Sequence, residues 1–106
     1  MSGYALLLTT IDDEEKARCL ARAALEARLA ACVQLTPIQS LYIWREKLCE
    51  EREILLQMKI RAADYAELAA LIRARHDYET PEIIMVDIAA GDANYLAWLE
   101  NTTRRN

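Results

Sequence analysis

The side chains with the strongest chemistry in this sequence are three cysteines, Cys19, Cys32 and Cys49, and a single histidine, His76. A thiol beside an imidazole is the minimal pair for a cysteine nucleophile, and the same two groups are ligands that suit copper and zinc. The spacing favours neither use, because the cysteines are far apart, odd in number and form no CxxC pair. We therefore expect free thiols, with Cys32 typical of a small buried apolar residue.

Motifs that organise catalysis are absent from the sequence. It contains no glycine-rich phosphate loop, no nucleophile elbow and no HExxH pair, and its two glycines could not build such a loop. His76 would have to serve any thiol mechanism, yet nothing in the spacing puts a cysteine beside it. We expect no enzymatic activity.

Composition narrows the class of protein further. The 106 residues are 54% apolar, which suits one domain, residues 1–106, with one core. A net charge of −4 argues against a nucleic-acid partner, and the basic pair Arg104-Arg105 resembles a frayed tail. No apolar run is long enough to span a membrane, and the first residues do not resemble a signal peptide. The expected location is the cytosol.

The first half of the chain predicts a strand, a helix and a long second strand. Tyr4 to Thr10 is apolar and β-branched, and the acidic residues 12–15 suit the cap and first turn of a helix. Helical spacing then places Cys19 on the polar face, where it should be at least partly exposed. The stretch from residue 30 to 44 reads as a strand that is broken or bulged at Pro37, at an edge or a bend.

The second half repeats the pattern after a hairpin. Residues 52–60 alternate strictly between apolar and polar, and residues 62–75 return to helical spacing. Residues 82–88 form a β-branched strand, after which Gly91-Asp92 precedes a short amphipathic helix.

This element order predicts an α+β fold with a βαββαβ antiparallel sheet, two helices on one face and a short C-terminal helix. The arrangement is the split βαβ pattern, also called ferredoxin-like. The other sheet face would carry Tyr42, Trp44 and Leu55, which are costly to leave in water. Another copy of the chain is the simplest cover for that face.

Five segments of the chain resemble the CutA family of divalent-cation tolerance proteins. They are Leu29–Gln34, Ser40–Trp44 with Lys47, Glu53 with Lys59, His76–Glu82, and Gly91–Leu99. The resemblance covers nearly the whole chain and implies a ferredoxin-like fold, a homotrimer built by pairing of sheet edges between subunits, and a link to divalent metal ions, copper among them. It implies no known reaction.

Three positions depart from the pattern of that family. Asp77 stands where a proline is usual, which removes a rigid ring beside His76. Glu46 replaces the usual glycine of the hairpin turn, so we expect a turn that needs no positive φ. Ile60 replaces the usual threonine that ends the third strand. None of these changes removes a residue with obvious chemistry.

Two kinds of site remain open. A trimer could bring Cys32 or His76 from neighbouring copies together as metal ligands, although His76 also suits a helix C-terminal cap. Alternatively, a cleft between subunits could bind a small ligand through Glu53, Lys59, Tyr78 and Glu82, with His76 close by. An ordinary ion pair between Glu53 and Lys59 is the simpler explanation for either residue alone.

Overall fold

Residues 2–105, which the computed structural model describes, form four strands and three α-helices joined by short connections. In chain order they are β1 (Tyr4–Ile11), α1 (Glu14–Glu26), β2 (Cys32–Trp44), β3 (Lys47–Arg61), a 3-10 turn (Ala62–Asp64), α2 (Tyr65–Arg75), β4 (Ile83–Asp87) and α3 (Ala93–Thr102). The strands lie in the order β2-β3-β1-β4, and every neighbouring pair is antiparallel. The α+β, ferredoxin-like βαββαβ prediction is confirmed.

Side-chain caps start α1 and α3 where the sequence predicts. The carboxylate of Asp13 accepts a hydrogen bond from the backbone N–H of Lys16 at 3.0 Å, and Asp92 accepts one from Tyr95 at the same distance. Each bond satisfies a backbone N–H that has no partner within the helix. The predicted exposure of Cys19 on α1 is also confirmed.

The core lies between one face of the sheet and helices α1 and α2. Alternate residues of β1 and β3 point into it, as the strict alternation of β3 predicts. The main side chains are Ala5, Leu7, Leu56, Met58 and Ile60 from the strands, and Leu20, Ala24, Leu68 and Ile72 from the helices. Each buried leucine, isoleucine or methionine contributes about 2 kcal/mol from removal of apolar surface from water.

Strands β2 and β3 form a long hairpin whose outer part, residues 41–50, we call the hairpin arm. Pairing continues from Cys32 opposite Lys59 to Trp44 opposite Lys47. The strand passes through Pro37 without a break, so the predicted break or bulge is wrong, although the edge position is right. An edge strand tolerates proline because its outward N–H needs no partner strand.

The turn of the hairpin arm requires positive φ at two residues that are not glycine. Arg45 has a φ of 52° and Glu46 has a φ of 65°. The expectation of a turn without positive φ is therefore wrong. Pairing of Trp44 with Lys47 leaves a two-residue loop, and such loops adopt turns with positive φ because these match the twist of the strands.

Replacing Glu46 with glycine should therefore stabilise the protein. A left-handed conformation costs an ordinary residue about 1 kcal/mol, and glycine avoids this cost. We expect Glu46→Gly to raise the free energy of unfolding by about that amount in urea denaturation at one fixed protein concentration. Glu50→Gly, within β3, is the control and should lower it. Equal or lower stability of Glu46→Gly would contradict the strain in this turn.

The C-terminal segment is fixed to the body by Arg105. Its guanidinium donates to Asp64 Oδ1 at 2.7 Å and to the carbonyl oxygen of Arg28 at 2.7 Å. Arg61 donates to the same carboxylate at 3.0 Å. The expectation of a frayed Arg104-Arg105 pair is therefore wrong for Arg105, since its acidic partner is distant in sequence.

Asp64 is the buried centre of this ion-pair network, which we call the Asp64 cluster. Burial alone would raise the pKa of Asp64, but hydrogen bonds from Arg105 and Arg61 outweigh it and hold the pKa below its usual value. The ionised carboxylate is thus the form that the fold stabilises.

Candidate functional site

A cavity of about 670 Å³ opens on the sheet face that the helices leave uncovered. Its walls come from β1, β2, β3 and the segment after α2, residues 78–82. We call it the acidic cavity, because four glutamates line it together with three aromatic residues. The glutamates are Glu51, Glu53, Glu79 and Glu82, and the aromatic residues are Tyr42, Trp44 and Tyr78.

Glu53 is the most buried of these glutamates, with 7% of its surface exposed. Its Oε2 accepts a hydrogen bond from the Tyr78 hydroxyl at 2.8 Å. Among residues 2–105, no lysine, arginine or histidine pairs with this carboxylate. Within this part of one copy, the carboxylate is hydrogen-bonded but has no basic partner.

His76 holds Tyr78 in position. Its side chain is fully buried, Nε2 lies 2.7 Å from the carbonyl oxygen of Thr10, and Nδ1 accepts the backbone N–H of Tyr78 at 3.1 Å. Since a carbonyl oxygen only accepts, these two contacts place the proton on Nε2. The ring also packs edge-on against Tyr78, with centroids 4.6 Å apart. Both nitrogens are thus occupied by contacts within the chain.

Both tyrosine hydroxyls of the acidic cavity remain protonated donors. Burial, and then the hydrogen bond to Glu53, raise the pKa of Tyr78 far above its usual value. The Tyr42 hydroxyl donates to Glu51 at 2.8 Å, and this bond raises the pKa of Tyr42 to about 12. Neutral hydroxyls orient the two carboxylates without removing their charge.

The predicted site residues fall into two groups on the same sheet face. Glu53, Tyr78 and Glu82 line the acidic cavity, with His76 behind Tyr78. Lys59 lies six residues from Glu53 along β3, about 20 Å at the usual rise of a strand. No ion pair joins these two residues, which rules out the simpler explanation for both.

Lys59 and Cys32 belong to the other end of that face. The Lys59 ammonium donates to Gln34 Oε1 at 2.7 Å and lies 6.0 Å from the centre of the Tyr95 ring. Cys32 is directly opposite Lys59 in the register of β2 and β3. Its free thiol is partly exposed, so the expectation of a buried residue is wrong for Cys32. Within one copy, Cys32 and His76 are at opposite ends of the sheet.

Residues 2–105 do not form a complete metal site within one copy. Among residues 2–105, no group of three histidine, cysteine, aspartate or glutamate residues is arranged to hold a metal ion. The same part of the chain contains no helix that is long and apolar enough to cross a membrane.

Sequence reasoning missed several residues of the acidic cavity, notably Glu51, Glu79 and Thr10. Glu51 could have been found, because the alternation of β3 puts it on the same face as Glu53. Glu79 could also have been found, because it lies between the predicted residues Tyr78 and Glu82. Thr10 could not, since the end of β1 meets this loop only in the folded chain.

Comparison with known proteins gives one consistent result. The family model described as CutA1 divalent ion tolerance protein matches residues 5–102. The divalent-cation tolerance protein CutA of Thermus thermophilus is 39% identical over 99 residues, covering 92% of this chain and 96% of that protein. The chloroplastic Protein CutA 1 of rice is 35% identical over 102 residues, which are 95% of this chain and 58% of that protein.

The similarity extends to three-dimensional structure. A structure named the periplasmic divalent cation tolerance protein CutA from Archaeoglobus fulgidus has a TM-score of 0.94 and 32% identity, covering 95% of this chain and 99% of that chain. The sequence match and the shared fold agree over almost the entire length. This chain therefore belongs to the CutA1 divalent ion tolerance protein family.

Proposed function

We propose that this protein is a cytosolic homotrimer that binds divalent metal ions, copper among them, and turns over no substrate. The observation that carries the proposal is the family match over residues 5–102. The family description speaks of tolerance to divalent ions, and direct binding of the ion is the simplest way for a small protein without catalytic motifs to provide it.

Exposed apolar side chains support the assembly. Leu41, Ile43 and Leu48 of the hairpin arm are 63%, 67% and 74% exposed, and Ile84 and Val86 of β4 are also exposed. Both β2 and β4 are edge strands, whose free backbone groups can pair with another chain. Pairing of one edge with the other edge of the next copy is a head-to-tail contact that can close into a ring. The resemblance to CutA implies a ring of three.

Sharing of ligands between copies supports the metal site. Cys32 offers a soft thiolate that suits copper, on the sheet face that another copy would cover. His76 could contribute its imidazole only by giving up its contact with Thr10 or with the N–H of Tyr78. We therefore expect Cys32 to dominate the affinity and His76 to contribute less.

Titration of Cu²⁺ and Zn²⁺ by isothermal calorimetry tests these ligands. We expect saturable binding to the unmodified protein and binding weaker by about tenfold or more in Cys32→Ser, because a soft ligand is lost. Cys19→Ser, which removes an exposed thiol of α1, is the matched control and should bind normally. Unchanged affinity in the double variant Cys32→Ser/His76→Ala, or no binding to the unmodified protein, would contradict the assignment.

The acidic cavity favours a second candidate function, a trimeric signalling module that binds a small ligand in clefts between subunits. Its volume of about 670 Å³ lies within the usual range for small-molecule sites. Glu53, Tyr78 and Glu82 would contact the ligand, whereas Lys59 could do so only from a neighbouring copy. A ligand of this kind should stabilise the fold by mass action in metal-free protein.

A further inference from the structure

We propose that the hairpin arm is a movable lid over the acidic cavity, and that the ion pair between Arg45 and Glu79 holds it closed. Residues of the arm and residues of the segment 78–82 both line this cavity. Access to its interior, where Glu53 lies, therefore depends on the position of the arm. The proposal concerns the chain alone and does not depend on what the cavity binds.

A single polar contact joins the arm to the rest of the chain. Within residues 2–105, no residue from 41 to 50 belongs to the hydrophobic core or to the partly buried side chains packed against it. Arg45 Nη2 donates to Glu79 Oε1 at 2.9 Å. Among the hydrogen bonds and ion pairs of the same residues, this is the only one that connects the arm to an element outside the hairpin. The position of the arm thus depends on one ion pair.

That ion pair can break without unfolding the protein. Both side chains are about 70% exposed, and an exposed pair contributes little because water solvates the two charges when they separate. The Arg45 guanidinium also lies 5.4 Å from the centre of the Trp44 ring. This second contact lies within the arm, so it gives Arg45 a partner that does not depend on Glu79. The closed and open positions of the arm therefore differ little in free energy.

The arm moves as one unit, because its internal contacts are continuous. Its two strands are paired as far as the two-residue turn, and the Tyr42 hydroxyl donates to Glu51 across the strands at 2.8 Å. At the base of the arm, Glu53 is buried and accepts a hydrogen bond from Tyr78, so this part of β3 stays with the body. The hinge therefore lies next to Glu53.

Fluorescence of Trp44 tests the proposal in the full chain. Trp98→Phe leaves Trp44 as the one tryptophan of the sequence, and every variant below carries this change. Trp44 lines the cavity and is 39% exposed with the arm closed, so opening should raise the quenching of its fluorescence by acrylamide about twofold. Acrylamide is uncharged, so substitutions that change the charge of the protein do not alter its access. Trp98→Tyr serves the same purpose if Trp98→Phe does not fold.

Variants of the ion pair should open and close the arm. Glu79→Gln removes the charge that holds Arg45 and should produce the increase in quenching. Glu50→Gln is the matched control and should leave the quenching unchanged, because Glu50 is an exposed residue of the arm that does not line the cavity. Arg45→Glu should open the arm by repulsion from Glu79. The charge swap Arg45→Glu/Glu79→Arg should close it again, although the contact with Trp44 is lost in both.

Sodium chloride should open the arm wherever the ion pair is intact, because salt screens exposed charges. Raising its concentration from about 0.05 M to about 1 M should increase the quenching in the parent protein but not in Glu79→Gln. Circular dichroism checks the fold of each variant, and light scattering checks the number of copies.

Three results would overturn the proposal. The first is equal quenching in Glu79→Gln and its parent, as expected if a neighbouring copy holds the arm in place. The second is a charge swap that leaves the quenching as high as in Arg45→Glu. The third is an increase in quenching that occurs only together with a loss of copies, because dissociation alone would then expose Trp44.

Discussion

Replacing Asp64 with alanine should lower the free energy of unfolding by about 2 kcal/mol, because two partly exposed arginines lose their charged hydrogen bonds to one buried carboxylate. Arg61 and Arg105 both donate to this carboxylate, and its side chain is 7% exposed. The substitution should also release the C-terminal segment, because Arg105 fixes this segment through Asp64. Chemical denaturation measures the first effect, and hydrogen exchange of residues 103–105 measures the second.

An exposed ion pair provides the control for Asp64. Glu79 and Arg45 lie 2.9 Å apart with about 70% of each side chain exposed, so Glu79→Ala should cost less than about 1 kcal/mol. A similar loss in both variants would contradict the importance of burial in the Asp64 cluster.

The contribution of the Asp64 cluster to the free energy of unfolding should also be lost at acid pH in the unmodified protein. The pKa of Asp64 is lower in the folded chain than its unfolded value of 3.8, so its contribution is complete above about pH 5 and is lost as pH falls through the folded pKa. In Asp64→Asn this part of the acid-induced loss should be absent. Stability profiles of the two proteins that run parallel below about pH 4 would contradict the lowered pKa of Asp64.

Replacing Ile43 with aspartate should dissociate the proposed trimer into folded monomers. Ile43 is 67% exposed in one copy, so the monomer loses little by the change. In the assembly, each copy would lose about 2 kcal/mol of apolar burial and would have to bury a charge instead. Light scattering on a sizing column should therefore report three copies for the unmodified protein and one for the variant.

Leu25 provides a control for the replacement of an exposed apolar side chain by a charged one. Leu25 lies at the end of α1, outside the hairpin arm, and is 39% exposed. Leu25→Asp should leave the mass at three copies. A monomeric unmodified protein at micromolar concentration would refute both the trimer and the shared metal ligands.

The order and type of the elements were predictable because each depends on local pattern. Alternation identifies β3, helical spacing identifies α1 and α2, and Asp13 and Asp92 mark helix starts. The positive φ of Glu46 was not predictable, because it is set by the register of two long strands and not by the residues of the turn. The anchoring of Arg105 depends on Asp64, more than forty residues away, and no local pattern connects them.

The candidate site was predictable to a smaller extent. Glu53, Tyr78 and Glu82, three of the four residues assigned to a small-ligand cleft, lie at one cavity. Lys59 does not lie at this cavity, because it is six positions from Glu53 along β3 and every two positions along a strand add about 7 Å. The lack of a basic partner for Glu53 could not be foreseen either, because the sequence offers several nearby cations and only the folded chain shows that none within residues 2–105 pairs with it.

The strand order also affects when the fold can be completed during synthesis. The central strand β1 is made first, but its neighbours β3 and β4 are made much later, and β4 comes near the end of the chain. The β2-β3 hairpin, in contrast, needs only local contacts and can form as soon as it leaves the ribosome. The apolar strand β1 must therefore wait without a partner strand until β3 has been made, and during that interval its apolar residues are open to aggregation.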